Sequence, residues 1–315
     1  MAYYSLAARY LVLDRPRDAE DILRRAAQRK LDIQELYYGR HNIAFYNGDK
    51  AGMQRALAES RSQSDAEALT TEREAFALAY AGRLRQARNT IRRASDLALQ
   101  AGGRERAAEW EAGSALWEVF FGDGTVAREG ALASLQRSKG REVRYLAALT
   151  LALSGDSPRA KALADGLDKQ FPEDTAIQFS YLPTLRALLA LNRGDPASAI
   201  EQLEPAVPYE MGTPRVSGTM GVGALYPIYV RGLAWLAAHQ GPKAAAEFQR
   251  IIDHRGIVLS DPIGVLAHLQ LGRALAGSGD KARAKAAYQD FLGLWKDADP
   301  DVPILRQARS EYAKL

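Results

Sequence analysis

The sequence predicts an all-α protein built from about eight repeated helix pairs. Short turn signals recur along the chain, and apolar residues between them follow the i, i+3, i+4, i+7 spacing of a helix face. No run of alternating β-branched residues indicates a strand. The turns centre on seven glycines, with Asp14 holding the corresponding place 34 residues before the first: Gly48, Gly82, Gly122, Gly155, Gly194, Gly241 and Gly279. Recurrence at this interval is typical of helical repeat arrays.

Two columns of small residues keep a fixed phase with these turns. A small residue stands seven positions before each turn and an alanine five positions after it, with His41 and Met53 as the exceptions. Antiparallel helices joined by a tight turn approach most closely beside it, where only small side chains fit. Glycine supplies the left-handed conformation that ends the first helix, and Asp or Pro then begins the second.

The helix pairs are expected in one domain that spans residues 1–315. They cover 2–28, 33–62, 66–100, 104–137, 141–170, 174–205, 223–254 and 262–296. A final helix begins at Val302 and is rich in polar residues, as the capping helix of a solenoid must be. The predicted architecture is therefore a right-handed α-solenoid.

Two segments interrupt the helical pattern. Residues 204–223 are rich in proline and glycine, and residues 255–262 form a shorter interruption. The expectation for both is a surface loop in a scaffold that tolerates insertions. The alternative for the longer segment is that it folds over a groove, because long loops in compact folds are often functional.

Composition excludes several classes of protein. The 315 residues are 47% hydrophobic and 25% charged and include no cysteine, so thiol catalysis, cysteine-ligated zinc and iron–sulfur clusters are ruled out. The most apolar stretch, residues 181–191, is too short to span a bilayer. No membrane contact is expected for this chain itself. Because helical periodicity starts at once, the chain is expected to be a piece of a longer one.

No catalytic constellation is present in the sequence. The histidines (His41, His239, His254 and His268) never stand at metal-binding spacing, and no serine lies in a Gly-x-Ser-x-Gly context. The sequence therefore predicts no catalytic residue, no metal and no cofactor.

A basic helix gives the strongest sign of nucleic-acid binding, and it is weak. Its arginines are Arg83, Arg85, Arg88, Arg92 and Arg93. The formal net charge is only +4 and acidic residues lie nearby, so a solvated outer face is favoured over a nucleic-acid interface.

The phased small–Gly–Ala pattern resembles the tetratricopeptide repeat. The best copy is Leu271-Gly272 followed by Leu275, Ala284 and Tyr288. Longer phrases at 171–212, 223–258 and 262–315, among them GALYPIYVRGLAWLAAHQGPKAAAEFQRIIDHRGIV, resemble the C-terminal repeat region of bacterial eukaryotic-like serine/threonine protein kinases of the acidobacterial type. Related regions also follow winged-helix regulator domains.

This resemblance implies the recognition or sensory region of a larger signalling protein, without its catalytic half. No kinase residue carries over, because the glycine-rich loop, the His-Arg-Asp loop and the Asp-Phe-Gly motif are absent. A membrane helix preceding the repeats in the parent protein would place them outside the cytoplasm; otherwise they are cytoplasmic.

In this repeat type the first helix of each pair lines a concave groove. The resemblance therefore implies a groove for a protein or peptide lined by Tyr4, Tyr38, Asn42, Tyr145, Tyr181, Arg231, Trp235 and Arg273. Tyrosine, tryptophan and arginine are typical of binding hot spots, and also of partly buried helix interfaces. The Lys/Asn clamp of chaperone-binding members is absent apart from Asn42. The alternative is a structural or dimerisation module whose groove is filled by its own loop or by a neighbour.

Overall fold

The computed structural model describes residues 2–31, 33–212 and 224–315. Within these residues the chain forms eighteen α-helices and no strand. The helices are α1 (Ala2–Val12), α2 (Pro16–Gln28), α3 (Gln34–Asn47), α4 (Lys50–Ser60), α5 (Ser64–Tyr80), α6 (Leu84–Gln100), α7 (Arg104–Phe121), α8 (Gly124–Arg137), α9 (Arg141–Leu153), α10 (Ser157–Gln170), α11 (Leu182–Asn192), α12 (Pro196–Gln202), α13 (Tyr226–Ala237), α14 (Gly241–Ile252), α15 (Arg255–Val258), α16 (Pro262–Gly277), α17 (Lys281–Leu294) and α18 (Pro303–Tyr312).

These helices confirm the predicted α-solenoid. Helices α1 to α14 form seven consecutive pairs, α16 and α17 form the eighth, and α18 follows as the final helix. A π-helical turn, Ile177–Tyr181, leads directly into α11, and a 3₁₀ turn, Glu204–Ala206, follows α12. The predicted 204–223 interruption thus begins as tight turns, and its residues 213–223 lie outside the described part of the chain.

The turns within the pairs have the predicted conformation, with one exception. Six of the seven glycines have positive φ, between 71° and 110°, and Asp14 adopts the same region at φ 54°. At several turns an aspartate follows, and its carboxylate accepts the backbone N–H three residues on, as Asp49 does from Gly52 at 2.8 Å.

The predicted seventh turn is wrong by two residues. His239 takes the left-handed position (φ 56°), whereas Gly241 is the first residue of α14, followed by Pro242. The close approach in this pair accordingly lies at Gly232, where an added Cβ would come within 2.7 Å of the Phe248 ring. Gly272 has the same relation to Tyr288 in the eighth pair, at 2.8 Å.

The small-residue positions of the seventh pair shift by the same two residues as its turn. Ala244 is fully buried in the position predicted for Ala246, which is exposed. The sequence pattern favoured Gly241 as the turn because it is a glycine followed by proline. In the structure these two residues are the first two of a helix. The left-handed region is uncommon for residues that carry a Cβ, such as histidine.

The last helix pair folds back against the third and fourth pairs. Trp295, just after α17, is fully buried; its indole Nε1 donates to the carbonyl of Tyr80 at 2.8 Å. Its ring lies edge-on to Phe121 with centroids 5.1 Å apart. The backbone N–H of Asp299 donates to the carbonyl of Gly82 at 3.0 Å. These contacts join residues more than 170 positions apart.

The segment 255–262 closes the array on the side of the first pairs. The N–H of Gly256 donates to the Asp14 carboxylate at 2.8 Å, and a Cβ at Gly256 would lie 1.7 Å from the carbonyl oxygen of Leu11. The same carboxylate accepts the Tyr46 hydroxyl at 3.0 Å. The following residues 257–259 are buried. The expectation of a surface loop at 255–262 is therefore wrong, because this segment packs on the first helix pair.

The hydrophobic core is continuous across the pairs that these contacts bring together. One continuous cluster runs from the third pair to the eighth, and a second fills the first two pairs together with Leu259. In an open solenoid each repeat contacts only its neighbours. Here the last pair also contacts the third and fourth pairs directly.

Two turn glycines provide a matched test of this closure. Gly48 and Gly82 have nearly the same φ, 71° and 72°, but a Cβ at Gly48 would meet nothing within 4 Å, whereas one at Gly82 would lie 2.6 Å from Ala298 Cβ and 2.9 Å from Trp295. We expect Gly48→Ala to lower the free energy of unfolding by about 1–2 kcal/mol, the cost of the left-handed conformation. Gly82→Ala should cost about 1–3 kcal/mol more, because it overpacks the contact.

Urea denaturation followed by circular dichroism measures both variants. Equal losses would show that Trp295 and Ala298 do not pack on this turn.

Candidate functional site

The closure leaves a cleft between the second and third pairs on one side and the last two pairs on the other. The cleft has a volume of about 920 Å³. It is bounded by the ends of α3 and α5, by α4, and by segments of α14 to α17. Its volume falls within the range of pockets that bind small ligands, roughly 300–1,000 Å³, and it is open to a short stretch of peptide.

The walls of the cleft are largely apolar. Phe45 and Tyr80 meet edge to face with centroids 5.2 Å apart, and Leu78 continues this wall. Ile252 and Leu294 face them from the C-terminal pairs, and Leu294 is exposed. An exposed apolar side chain in a concave site is a candidate contact for a ligand.

The carboxylates of the cleft have polar neighbours within the chain, and one of them, Asp297, pairs with a lysine. Glu74 accepts from Gln54 at 2.9 Å and lies 2.9 Å from Nε2 of His41. Asp297 pairs with Lys50 at 3.3 Å. Asp290 lies 4.0 Å from His268; burial lowers the pKa of this imidazole, so His268 is neutral at pH 7.

Three cations of the cleft lack a carboxylate partner. Arg83 and Lys296 form no ion pair within residues 2–31, 33–212 and 224–315. Among the same residues, the Arg255 guanidinium donates to the carbonyl of Tyr46, at 3.1 Å, and lies over the ring of that tyrosine, with no carboxylate in ion-pair distance. The lining carries four cations (Lys50, Arg83, Arg255 and Lys296) against three carboxylates (Glu74, Asp290 and Asp297), a formal excess of one positive charge.

None of the eight residues predicted to line a concave groove borders this cleft. Tyr4 and Tyr38 meet edge to face at 4.9 Å, and the guanidinium of Arg73 lies 5.6 Å from the Tyr38 ring centre. Asn42 is buried nearby on α3. Tyr4 and Tyr38 therefore take part in packing between the first two pairs.

Tyr145 and Tyr181 stack on each other in the interior. Their ring centroids lie 3.6 Å apart, and both side chains are 0% exposed. The Tyr181 hydroxyl donates to Glu142 at 2.9 Å.

The remaining three predicted residues also have partners within the chain. Arg231 pairs with Glu247 and Glu210, and Arg273 pairs with Glu311. Lys243 lies over the Trp235 ring at 4.3 Å.

The corrected turn of the seventh pair moves the inner-face positions from Arg231 and Trp235 to Tyr229 and Leu233. The eight residues are spread over the first, second, fifth, sixth, seventh and eighth pairs, and their role in binding remains a prediction.

Three of the five arginines of the basic helix pair with carboxylates outside that helix. Arg85 pairs with Asp301 at 2.9 Å, Arg88 with Glu118 at 2.7 Å, and Arg93 with Glu67 at 2.5 Å. Only Arg83 of this set lines the cleft. Sequence reasoning missed the rest of the cleft, because its walls come from segments about 200 positions apart that share no motif.

Three buried carboxyl groups have pKa values raised by desolvation. Burial raises the pKa of Glu72 to about 7, of Glu109 to about 8 and of Asp261 to about 7. Asp261 begins α16, accepting the N–H of Ile263 at 3.0 Å and the Tyr226 hydroxyl at 3.1 Å.

Two further properties concern metal sites and membrane spans. Within the described ranges, no group of three or more His, Asp or Glu side chains could hold a metal ion. Among the described helices, none combines the length and the hydropathy that crossing a bilayer requires.

Comparisons with known proteins add little. No family model and no curated protein matches the sequence. A solved structure similar to this chain is the TPR domain of P58(IPK), with 14% identity over 99% of this chain and 97% of that one, and a TM-score of 0.30. A TM-score this low carries no argument, so the fold description rests on the helix pairs themselves.

The raised carboxyl pKa values predict that stability falls as pH rises. The unfolded chain loses these protons near pH 4, whereas the folded chain holds them until pH 7–8, so the unfolding free energy decreases across that interval. We expect a loss of about 2 kcal/mol between pH 7 and pH 9. His268 does not contribute there, since it is neutral in both states.

Thermal melts at half-unit pH steps test this expectation. A melting temperature that is constant or rises between pH 7 and pH 9 would contradict it.

Proposed function

We propose that this protein is a non-catalytic scaffold that binds a protein or peptide in the cleft between its N-terminal and C-terminal helix pairs. The observation that carries this proposal is the cleft itself, about 920 Å³ with apolar walls and three cations that lack carboxylate partners. The two walls belong to segments far apart in the chain, so a bound segment would contact both halves of the closed array.

The charge of the cleft selects its occupant. The apolar side chains of a peptide would pack against Phe45, Leu78 and Ile252. Removing this apolar surface from water contributes favourably to the free energy of binding. Carboxylates on the same segment would meet Arg83 and Lys296. The proposed partner is therefore an acidic segment that also carries apolar residues.

The wider role is that of a recognition region within a larger signalling protein. The resemblance of residues 171–315 to repeat regions of bacterial kinases supports this role.

Two synthetic peptides test the cleft. One alternates Leu and Phe with Asp and Glu over ten residues; the other replaces each acidic residue by lysine. We expect saturable binding of the acidic peptide only, measured by fluorescence anisotropy. The double variant Arg83→Glu/Lys296→Glu should weaken it by about tenfold or more, which corresponds to 1.4 kcal/mol or more.

Arg17→Glu is the matched control, because Arg17 is exposed on α2 and does not line the cleft. It should bind the acidic peptide as the wild type does. Equal binding of both peptides, or equal loss in the control, would exclude the cleft as the site.

A second candidate function, dimerisation, is favoured by an exposed apolar patch beside the sixth pair. Phe179 and Tyr209 stack there with centroids 4.7 Å apart, and Val207 and Met211 are exposed next to them in the chain. Such clustered exposure is typical of protein contact surfaces. In this alternative the array would join two copies of its parent protein.

Light scattering after size exclusion distinguishes the two states. Dimerisation through the patch predicts twice the 34.5 kDa mass at high concentration. The variant Tyr209→Glu should be monomeric. The control Leu13→Glu changes an exposed apolar residue elsewhere and should remain dimeric. A monomer at every concentration would rule this alternative out.

A further inference from the structure

A polar groove continues the cleft along helix α5. It has a volume of about 600 Å³ and lies between α4 and α6. The α5 residues that line it are buried or half-buried and form its floor, whereas those of α4 and α6 are mostly exposed and form its rims. Four residues line both the groove and the cleft: Gln54, Glu74, Leu78 and Arg83. The groove therefore opens into the cleft at the C-terminal end of α5.

The length of this groove suits a short stretch of extended chain. Its floor is one face of α5, from Glu67 through Thr71 and Glu74 to Leu78, at the spacing of three and four residues that aligns side chains on a helix. At a rise of about 1.5 Å per residue this face is about 17 Å long. An extended peptide advances about 3.3–3.6 Å per residue, so the groove accommodates about five residues.

The rims of the groove carry side-chain amides with unused hydrogen-bonding groups. On α4, Gln54 donates through Nε2 to Glu74 at 2.9 Å, and its Oε1 remains an acceptor. On α6, the Gln86 side chain makes no hydrogen bond to any described residue. Asn89 accepts from Arg92 through Oδ1, which leaves its Nδ2 as a donor. A side-chain amide combines an N–H donor with a C=O acceptor, as a peptide group does, so these amides match the main chain of a peptide.

The corresponding groove one pair earlier has no such unused amide. It lies between α2 and α4 over α3, and its volume is about 300 Å³, half that of the groove over α5. Every polar side chain that lines it has a partner within the chain, in the contacts Asn47–Glu20, Arg40–Glu59, Arg55–Asp49 and Arg24–Asp21. Of these two equivalent grooves, the one with free amides is therefore the one that joins the cleft.

We propose that the groove over α5 binds about five further residues of the peptide held in the cleft, through their main-chain N–H and C=O groups. This inference rests on the proposed peptide binding in the cleft. Gln86 and Asn89 would donate to peptide carbonyls, and Oε1 of Gln54 would accept a peptide N–H. The bound stretch is extended, because the peptide groups of a helix bond to one another.

The cleft and the groove would recognise different features of one segment. The apolar and cationic walls of the cleft select side chains, whereas the amides of the groove contact atoms that every residue except proline shares. The groove would therefore increase affinity for a longer segment without adding a requirement for particular side chains there.

Lengthened versions of the ten-residue acidic peptide test the proposal. Two peptides of fifteen residues add Ser-Gln-Ser-Gln-Ser to one end or to the other. Fluorescence anisotropy should show about tenfold tighter binding for one of them, which corresponds to 1.4 kcal/mol. Replacing the addition by Thr-Asn-Thr-Asn-Thr at that end should preserve the gain. Methylating the five added main-chain nitrogens should abolish it, because the N–H donors are removed.

Variants of α6 locate the gain. Gln86→Ala/Asn89→Ala should remove it and leave the affinity for the ten-residue peptide unchanged, since neither residue lines the cleft. Both residues are exposed and alanine favours helices, so this double variant should fold. Gln100→Ala is the matched control, because Gln100 is exposed on α6 and lines neither the groove nor the cleft. It should retain the gain.

The outcomes separate this inference from the proposed function. If the ten-residue peptide does not bind, peptide binding in the cleft fails and the extension fails with it. If that peptide binds and neither longer peptide binds more tightly, only the extension is overturned. A gain that survives in Gln86→Ala/Asn89→Ala, or one that depends on the added side chains and not on the N–H groups, also overturns it.

Discussion

The closed form of this helix array depends above all on the burial of Trp295. Its indole is fully buried against Phe121 and the turn at Gly82, and its N–H reaches the carbonyl of Tyr80. Burying a tryptophan of 150–250 Å² contributes about 4–6 kcal/mol at 25 cal/mol per Å². The ion pair Lys50–Asp297 spans the same closure but is largely exposed, so its contribution is about 0–1 kcal/mol. Apolar burial therefore decides the closure, and the surface charges only adjust it.

The proposed binding cleft follows from how the helices are brought together. Closure places α15 to α17 opposite α3 to α5, which creates the cleft and leaves Arg83 facing it without a carboxylate partner. The cleft therefore exists only in the closed array.

The sequence predicts the local features of this fold well. Helix pairs and their turns depend on residues within one repeat, so the left-handed glycines and the aspartates that follow them could be placed from spacing alone. The predicted position of the seventh turn was wrong because Gly241 and Pro242 are typical of a turn but begin a helix here. His239 instead adopts the left-handed conformation. The cleft could not be predicted, because nothing near Tyr80 or Arg83 indicates that Trp295 and Ile252 lie beside them. The predicted groove residues were chosen from repeat positions alone, and most of them pack on or pair with residues of the same or the adjacent helix pair.

The distance between Lys50 and Asp297 in solution tests the closed array most directly. The chain has no cysteine, so spin labels on cysteines introduced at these two exposed positions can be attached without background. Double electron–electron resonance should give one narrow distribution centred at or below about 20 Å, two helix diameters. A broad distribution at the much longer separations of an extended solenoid would contradict the closure and, with it, the existence of the cleft.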